Sequence, residues 1–256
     1  MRWQDWVWFH TRPPLDRVRD EDGVCDVCGR TARFLYNRWS IVPHHATDFR
    51  DPGVLAAYRR RESMWCSECG ASTRERGLWR VLIGHYGGGA TSGPQLVEAP
   101  AFSLLRIAEI NRLNAGHDLL ARVNGVTYSE YPDEDIQSLS YPDATFDLVI
   151  TSDTLEHVPD HVLALKETRR ILRPGGRHVF TVPLRPDLPA SQDRAGLPPI
   201  YHGVAPGPLA LLRGPSEDML ALHDFAMDFF DAVRAVGFDV ELHGDGVETV
   251  ICATAT

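Results

Sequence analysis

The chain has 256 residues, a hydrophobic share of 43% and a formal net charge of -9, from 26 Lys and Arg against 35 Asp and Glu. That apolar content fills a sizeable core, which excludes a disordered chain, and no run approaches the roughly 18 apolar residues of a membrane span. The acidic balance argues against a nucleic-acid partner, because neutralising phosphates with cations supplies much of such affinity.

Met1–Arg12 mixes Trp3, Trp6, Trp8 and Phe9 with Arg2, Asp5 and His10 and lacks the apolar block of a signal peptide. The expected address is the cytoplasm, where thiols stay reduced. The aromatic cluster is expected to pack on the module that follows. Cys25-Asp26-Val27-Cys28-Gly29 and Cys66-Ser67-Glu68-Cys69-Gly70 are two copies of C-x-x-C-G. In each, the glycine can take a positive φ and turn backbone amides toward the thiolates. A redox pair needs only one such motif, whereas Cys25, Cys28, Cys66 and Cys69 together suit tetrahedral Zn2+. Four thiolates leave no open coordination position, so the expected zinc is structural. Gly29–Trp65 is longer than the usual ribbon loop, so an insertion must fill it; His44 and His45 within it are candidate ligands, with surface histidines the preferred reading. Lys166 is the only lysine, which reads as a compositional bias. Most arginines are therefore discounted as functional signals, while a local basic patch at Arg59-Arg60-Arg61 stays open.

Gly87-Gly88-Gly89-Ala90-Thr91-Ser92-Gly93-Pro94 reads as a linker between an N-terminal module, 1–86, and a longer part, 95–256. In the latter, Gln95–Ala99 reads as a short first strand and Ser103–Leu113 has helical spacing. Val126–Tyr128 and Phe146–Thr151 read as strands, and Pro159–Leu172 as a helix stopped at Arg173-Pro174-Gly175-Gly176 before a strand over Arg177–Val182. Pro183–Pro215 is dense in Pro and Gly, and the stretch 183–223 has the character of a lid or binding loop. A helix over His223–Val236 precedes strands at Phe238–His243 and Thr249–Ala255. Five residues separate that last pair, too few for a helical crossover, so they form an antiparallel hairpin. Cys252, in the last strand, reads as an ordinary buried thiol. Alternating strands and helices argue an α/β, mostly parallel sheet wound on both faces.

Tyr141-Pro142-Asp143-Ala144-Thr145-Phe146-Asp147-Leu148-Val149-Ile150, then Leu155-Glu156-His157-Val158, then Leu172-Arg173-Pro174-Gly175-Gly176, stand in a recognisable order and spacing. This stretch resembles the class I S-adenosylmethionine-dependent methyltransferases, in particular the small-molecule branch called type 11, over about Gln95–Thr256. Its pairing with the four-cysteine module is similar to a subgroup of zinc-bearing methyltransferases. The resemblance implies a Rossmann-like seven-stranded sheet with S-adenosyl-L-methionine laid across the carboxyl ends of the strands. It implies that Glu130 holds the ribose hydroxyls and that Asp135 and Ile136 hold the adenine. Ser152, Asp153 and Leu155 are implied to line the pocket near the sulfonium. At the first strand it implies Glu98, Ala99 and Pro100. There the sequence departs from the family, since no glycine follows Glu98 and Pro100 has no amide hydrogen to donate.

Methyl transfer is an in-line displacement in which positioning carries much of the work, and an O- or N-nucleophile also needs a proton removed. The candidate bases are His157, Tyr201 with His202 in the irregular stretch, and the pair His223-Asp224. The expected function is methylation of a small-molecule acceptor. The alternatives are an inactive or non-methylating S-adenosylmethionine-binding protein and a ribosomal-RNA methyltransferase, the last against the acidic charge.

Overall fold

The computed structural model describes residues 17–37, 48–200 and 220–256. Trp3, Trp6, Trp8, Phe9, His44, His45, Tyr201 and His202 lie outside the described residues.

The N-terminal part is a small antiparallel sheet of β1 (Arg17–Val24), β2 (Thr31–Asn37) and β3 (Met64–Cys66), in that order. The insertion between β2 and β3 contains helix α1 (Pro52–Ser63). Pro52 fits the first helical turn, where no amide bond is lost. Asp51 caps that turn by accepting from the amides of Gly53 and Val54 at 2.6 and 3.3 Å. Helix α2 (Thr73–Tyr86) opens on a capping box: Ser72 Oγ accepts from the Glu75 amide at 3.2 Å, and Glu75 accepts in return from the Ser72 amide at 3.0 Å.

Six strands form the main sheet among the described residues. They are β4 (Ile107–Ile110), β5 (Val126–Ser129), β6 (Phe146–Ser152), β7 (Leu172–Thr181), β10 (Phe238–His243) and β11 (Val250–Ala255), in the spatial order β10-β11-β7-β6-β4-β5. The four from β5 to β7 are parallel, and β11 and β10 are antiparallel, so the expected hairpin is present. Side chains alternate between the faces. Leu148, Val179 and Cys252 pack with Leu78, Trp79 and Leu82 of α2. Val149, Phe180 and Ile251 pack on the other face with Leu165 of α6 (His161–Ile171) and Phe229 of α7 (Phe229–Ala235). This is a doubly wound, Rossmann-like α/β sheet.

Four expectations need correction. First, Gln95–Ala99 is not the first strand. Gly93–Glu98 is a helix, α3, followed by a short helix, α4, at Pro100–Ser103. A short apolar run does not separate helix from strand, and here Pro94 in the first turn favours helix. Second, the first parallel strand is Ile107–Ile110, inside the segment with helical spacing. All four of its residues are buried, so it shows no alternation. Third, among the described residues the sheet has six strands where seven were expected: β5 is its edge, and 130–145 is turns, with Pro132, Pro142 and five acids in place of a β-forming run. Fourth, His223–Asp224 is not helical. It forms a two-residue strand, β9, paired with β8 (Gln192–Asp193), and the helix begins only at Phe229.

The glycine-rich segment does not separate two cores either. Gly93 is buried and donates its amide to the Asp26 carbonyl at 2.8 Å, and a Cβ there would stand 2.3 Å from the Val27 carbonyl oxygen. One apolar cluster runs from Val27 and Phe34 through Trp79 to Ile107 and Leu148. The cysteine module and the sheet therefore share a core.

Candidate functional site

The carboxyl ends of β4, β5 and β6 surround a cavity of about 840 Å3. Ile110 and Asn111 line it from the end of β4, Glu130, Glu134, Asp135 and Ile136 from the turns after β5, and Thr154, His157, Val158 and Pro159 from beyond β6; Leu222 reaches it from the segment before β9. Open α/β sheets bind ligands in such crevices.

Asn111 organises the cavity floor. It adopts φ 61°, a left-handed conformation that asparagine tolerates better than most residues. Its amide donates to the Ser129 carbonyl at 2.8 Å, its Oδ1 accepts from the Tyr131 amide at 3.3 Å, and its Nδ2 donates to Thr154 Oγ1 at 3.4 Å. One residue thus links the ends of all three strands. Glu109, fully buried, supports the turn from behind: Oε1 accepts from the Leu113 amide and Oε2 meets His117 Nδ1, both at 2.8 Å. Burial pushes the Glu109 carboxyl above its usual range, with the Leu113 amide and His117 pulling it back. Glu109 within β4 and the left-handed turn at Asn111 stand at the end of the first parallel strand, where Glu98 was expected. Finding it from sequence required placing β4 correctly.

Glu130 sits just past β5 and is solvent-exposed, with the Tyr128 hydroxyl donating to one carboxylate oxygen. Asp135 is held by the amide of Gln137 at 2.9 Å, and Ile136 is a buried apolar wall beside it. These three line one cavity. Glu98, Ala99 and Pro100 are not among its lining residues: Glu98 projects from the end of α3 and pairs with Arg122 at 2.7 Å on the surface.

Beyond β6 the chain departs from expectation. Thr154 and His157 line the cavity, but Ser152, Asp153 and Leu155 do not. Leu155 is buried in the apolar core, and Ser152 Oγ bonds Thr181 Oγ1 at 3.2 Å. Asp153 turns back into the protein. Its carboxylate accepts from both terminal nitrogens of Arg61 at 2.7 and 2.6 Å, from Arg74, and from the Thr181 hydroxyl at 2.8 Å. Burial opposes ionisation of Asp153, yet the guanidinium groups of Arg61 and Arg74 outweigh it and hold the carboxyl well below its usual range. Arg61 lies in α1 and Arg74 in α2, so the loop beside the cavity is bolted to the N-terminal part. Discounting the arginines concealed this.

Of the candidate bases, His157 lines the cavity. Its Nδ1 donates to the Leu220 carbonyl at 2.9 Å, which leaves the basic lone pair on Nε2, 3.5 Å from Glu156. His223 Nε2 is engaged with the Val158 carbonyl at 3.0 Å, and Asp224 pairs with Arg194 at 2.6 Å. That pair is structural.

The four cysteines converge from two turns, one between β1 and β2 and one at the end of β3. Cys25 Sγ lies 3.8 Å from Cys69 Sγ and Cys28 Sγ 3.9 Å from Cys66 Sγ, and all four sulfurs lie within 4.8 Å of one another. A zinc ion with bonds of about 2.3 Å needs tetrahedral edges of about 3.8 Å. Gly29 and Gly70 take φ 73° and 78° and donate their amides to the carbonyls of Cys25 and Cys66 at 2.8 and 2.9 Å, closing both turns. No helix among the described residues is long and apolar enough to cross a membrane.

Residues 102–180 match the family model described as a methyltransferase domain. Over 58 residues the chain is 40% identical to the sarcosine/dimethylglycine N-methyltransferase of Halorhodospira halochloris, covering 23% of this chain and 21% of that one. Over 73 residues it is 37% identical to the ubiquinone/menaquinone biosynthesis C-methyltransferase UbiE of an Enterobacter species (strain 638), covering 28% and 29%. The matched stretch thus spans under a third of the length of these curated relatives. A solved S-adenosylmethionine-dependent methyltransferase from Mesorhizobium loti aligns over 70% of this chain and 97% of its own, with 18% identity and a TM-score of 0.41. The matched residues, 102–180, carry β4 to β7 and most of the cavity wall, and it is this stretch that is similar to a methyltransferase domain.

Proposed function

We propose that the protein is an S-adenosyl-L-methionine-dependent methyltransferase acting on a small-molecule acceptor by in-line methyl transfer. The observation that carries this reading is the meeting of Glu130, Asp135 and the Asn111 turn in one cavity at the carboxyl ends of the parallel strands. The donor chemistry fits the cosubstrate: a ribose diol needs an acceptor such as Glu130, and an onium cation gains from the Glu130, Glu134 and Asp135 carboxylates around it. When bound, the cosubstrate supplies an electrophilic methyl group. Glu130 would accept from its ribose hydroxyls, Asp135 from its adenine amino group, and Ile136 would cover the ring. Thr154 and Leu222 would exclude water from the acceptor side. His157 would take the acceptor's proton on Nε2, since the Leu220 carbonyl fixes the tautomer. Tyr201 and His202 remain candidates for the same task. The names of the relatives, a sarcosine/dimethylglycine N-methyltransferase and a ubiquinone/menaquinone biosynthesis C-methyltransferase among them, favour a small-molecule substrate.

The four-cysteine site is assigned to structural Zn2+ on its all-sulfur donor set and near-tetrahedral edges. Its role would be to close the two turns and so set α1 and α2, which hold Asp153.

Calorimetric titration with S-adenosylhomocysteine tests the function. Wild-type protein should bind, and Glu130→Ala should bind roughly 10–100-fold more weakly, the worth of a hydrogen bond to a charged group. No heat of binding at millimolar ligand would overturn the reading.

A further inference from the structure

His85 lies in the last turn of α2, and Glu241 and His243 lie two residues apart on β10, so their side chains leave the edge strand on one face. That face meets the helix. His85 Nε2 stands 3.7 Å from a Glu241 oxygen and His243 Nε2 3.4 Å from the other, and the three ligand atoms lie within 4.8 Å of one another. Two imidazoles and a carboxylate around an ion with bonds of about 2.0–2.2 Å require separations of about 3.3–3.5 Å. Both Nε2 atoms are shut off from solvent and make no well-formed hydrogen bond among the described residues. Buried polar atoms in native proteins are normally satisfied, and these two point at the same carboxylate.

We propose that His85, Glu241 and His243 form a second metal site, independent of the cysteines, for a divalent transition ion of the Zn2+, Co2+ or Ni2+ class. Imidazole donors select this class over Mg2+ and Ca2+, which take oxygen ligands. Imidazole coordinates through its neutral form, so uptake of the ion releases any proton held there. The three protein ligands come from α2 and from the open edge of the sheet, so an ion here would clip helix to edge strand. The fourth coordination position would be open to water.

Titration with Co2+ tests the assignment, using protein as purified and dialysed to leave only tightly held metal. Wild type should take up one equivalent with visible d–d bands and without thiolate-to-cobalt charge-transfer absorption, which separates this site from the cysteines. His243→Gln should lose that equivalent. Glu241→Gln, at a side chain 61% exposed and so harmless to folding, should weaken it at least about tenfold. His85→Ala, checked for native circular dichroism, should behave as His243→Gln. Absence of a thiolate-free cobalt spectrum in wild type, or an undiminished one in Glu241→Gln and His243→Gln, would overturn the proposal.

Discussion

Arg61 is the most consequential cation in the molecule. It is 1% exposed, and it meets the side chain of Asp153, 8% exposed, through both terminal nitrogens while also donating to the Val182 carbonyl at 3.2 Å. Replacing it by Leu leaves a buried carboxylate with only Arg74 and the Thr181 hydroxyl. Removing one partner of a buried pair costs about 3–5 kcal/mol, and the remaining partners place this change near the lower end, about 3 kcal/mol. For a chain of this size that is a fall of roughly 6–12 °C in Tm. Arg61→Lys keeps the charge but loses the fork, so its fall should be about half as large. Adding Asp153→Asn to Arg61→Leu removes the stranded charge and should recover at least about 1 kcal/mol relative to additivity. Thermal unfolding followed by circular dichroism measures wild type, Arg61→Leu, Arg61→Lys, Asp153→Asn and the double variant. A Tm change below about 2 °C for Arg61→Leu, or strict additivity in the double variant, would refute the argument that this pair bolts the N-terminal part to the cavity loop.

Asn111→Ala and Asn111→Gly both delete the side-chain amide, so the difference between them isolates the φ of 61°. Ala should be less stable than Gly by about 1–2 kcal/mol in urea unfolding, and equal midpoints would contradict this. Elemental analysis should find zinc in wild type and none in Cys66→Ser, which should unfold at lower temperature; a metal-free variant with unchanged Tm would remove the structural role. His178 is fully buried in β7, 3.0 Å from Thr151 Oγ1, and burial pushes its pKa down to about 3. The folded protein then refuses a proton that the unfolded chain accepts below pH about 6.5, so stability is complete above that value and falls as the pH drops toward 3. At about 1.4 kcal/mol per unit, the loss at pH 5 is about 2 kcal/mol. The difference in urea stability between pH 7 and 5 should shrink by that amount in His178→Gln, whereas identical pH dependences would exclude the assignment.

The parts of the fold that the sequence disclosed are those with local signatures. Phe238–His243 was legible because Gly237 and Gly244 bracket it, and the hairpin because five residues cannot hold a crossover. The cysteine cluster followed from duplicated spacing, whereas Glu130 and Asp135 were named through the family resemblance, and both line the cavity. The first strand was hidden because β4 is buried on both faces: Leu104, Leu105, Ile107, Ala108 and Ile110 mimic a helical stripe while a real helix at Gly93–Glu98 passes for a strand. That shift placed the expected first motif at Glu98–Pro100, whereas the left-handed turn that follows the first parallel strand is at Asn111. Asp153 was misplaced for a different reason. Its partners lie 92 and 79 residues upstream in a chain where arginine is common, and no local pattern marks which arginines are buried.

The most direct measurement is a crystal structure of the protein with S-adenosylhomocysteine. The ligand should lie across the ends of β4, β5 and β6, with its ribose hydroxyls within hydrogen-bond distance of Glu130 and its adenine beside Asp135 and Ile136. A ligand bound elsewhere, or seated in this cavity with Glu130 turned to solvent, would contradict the assignment.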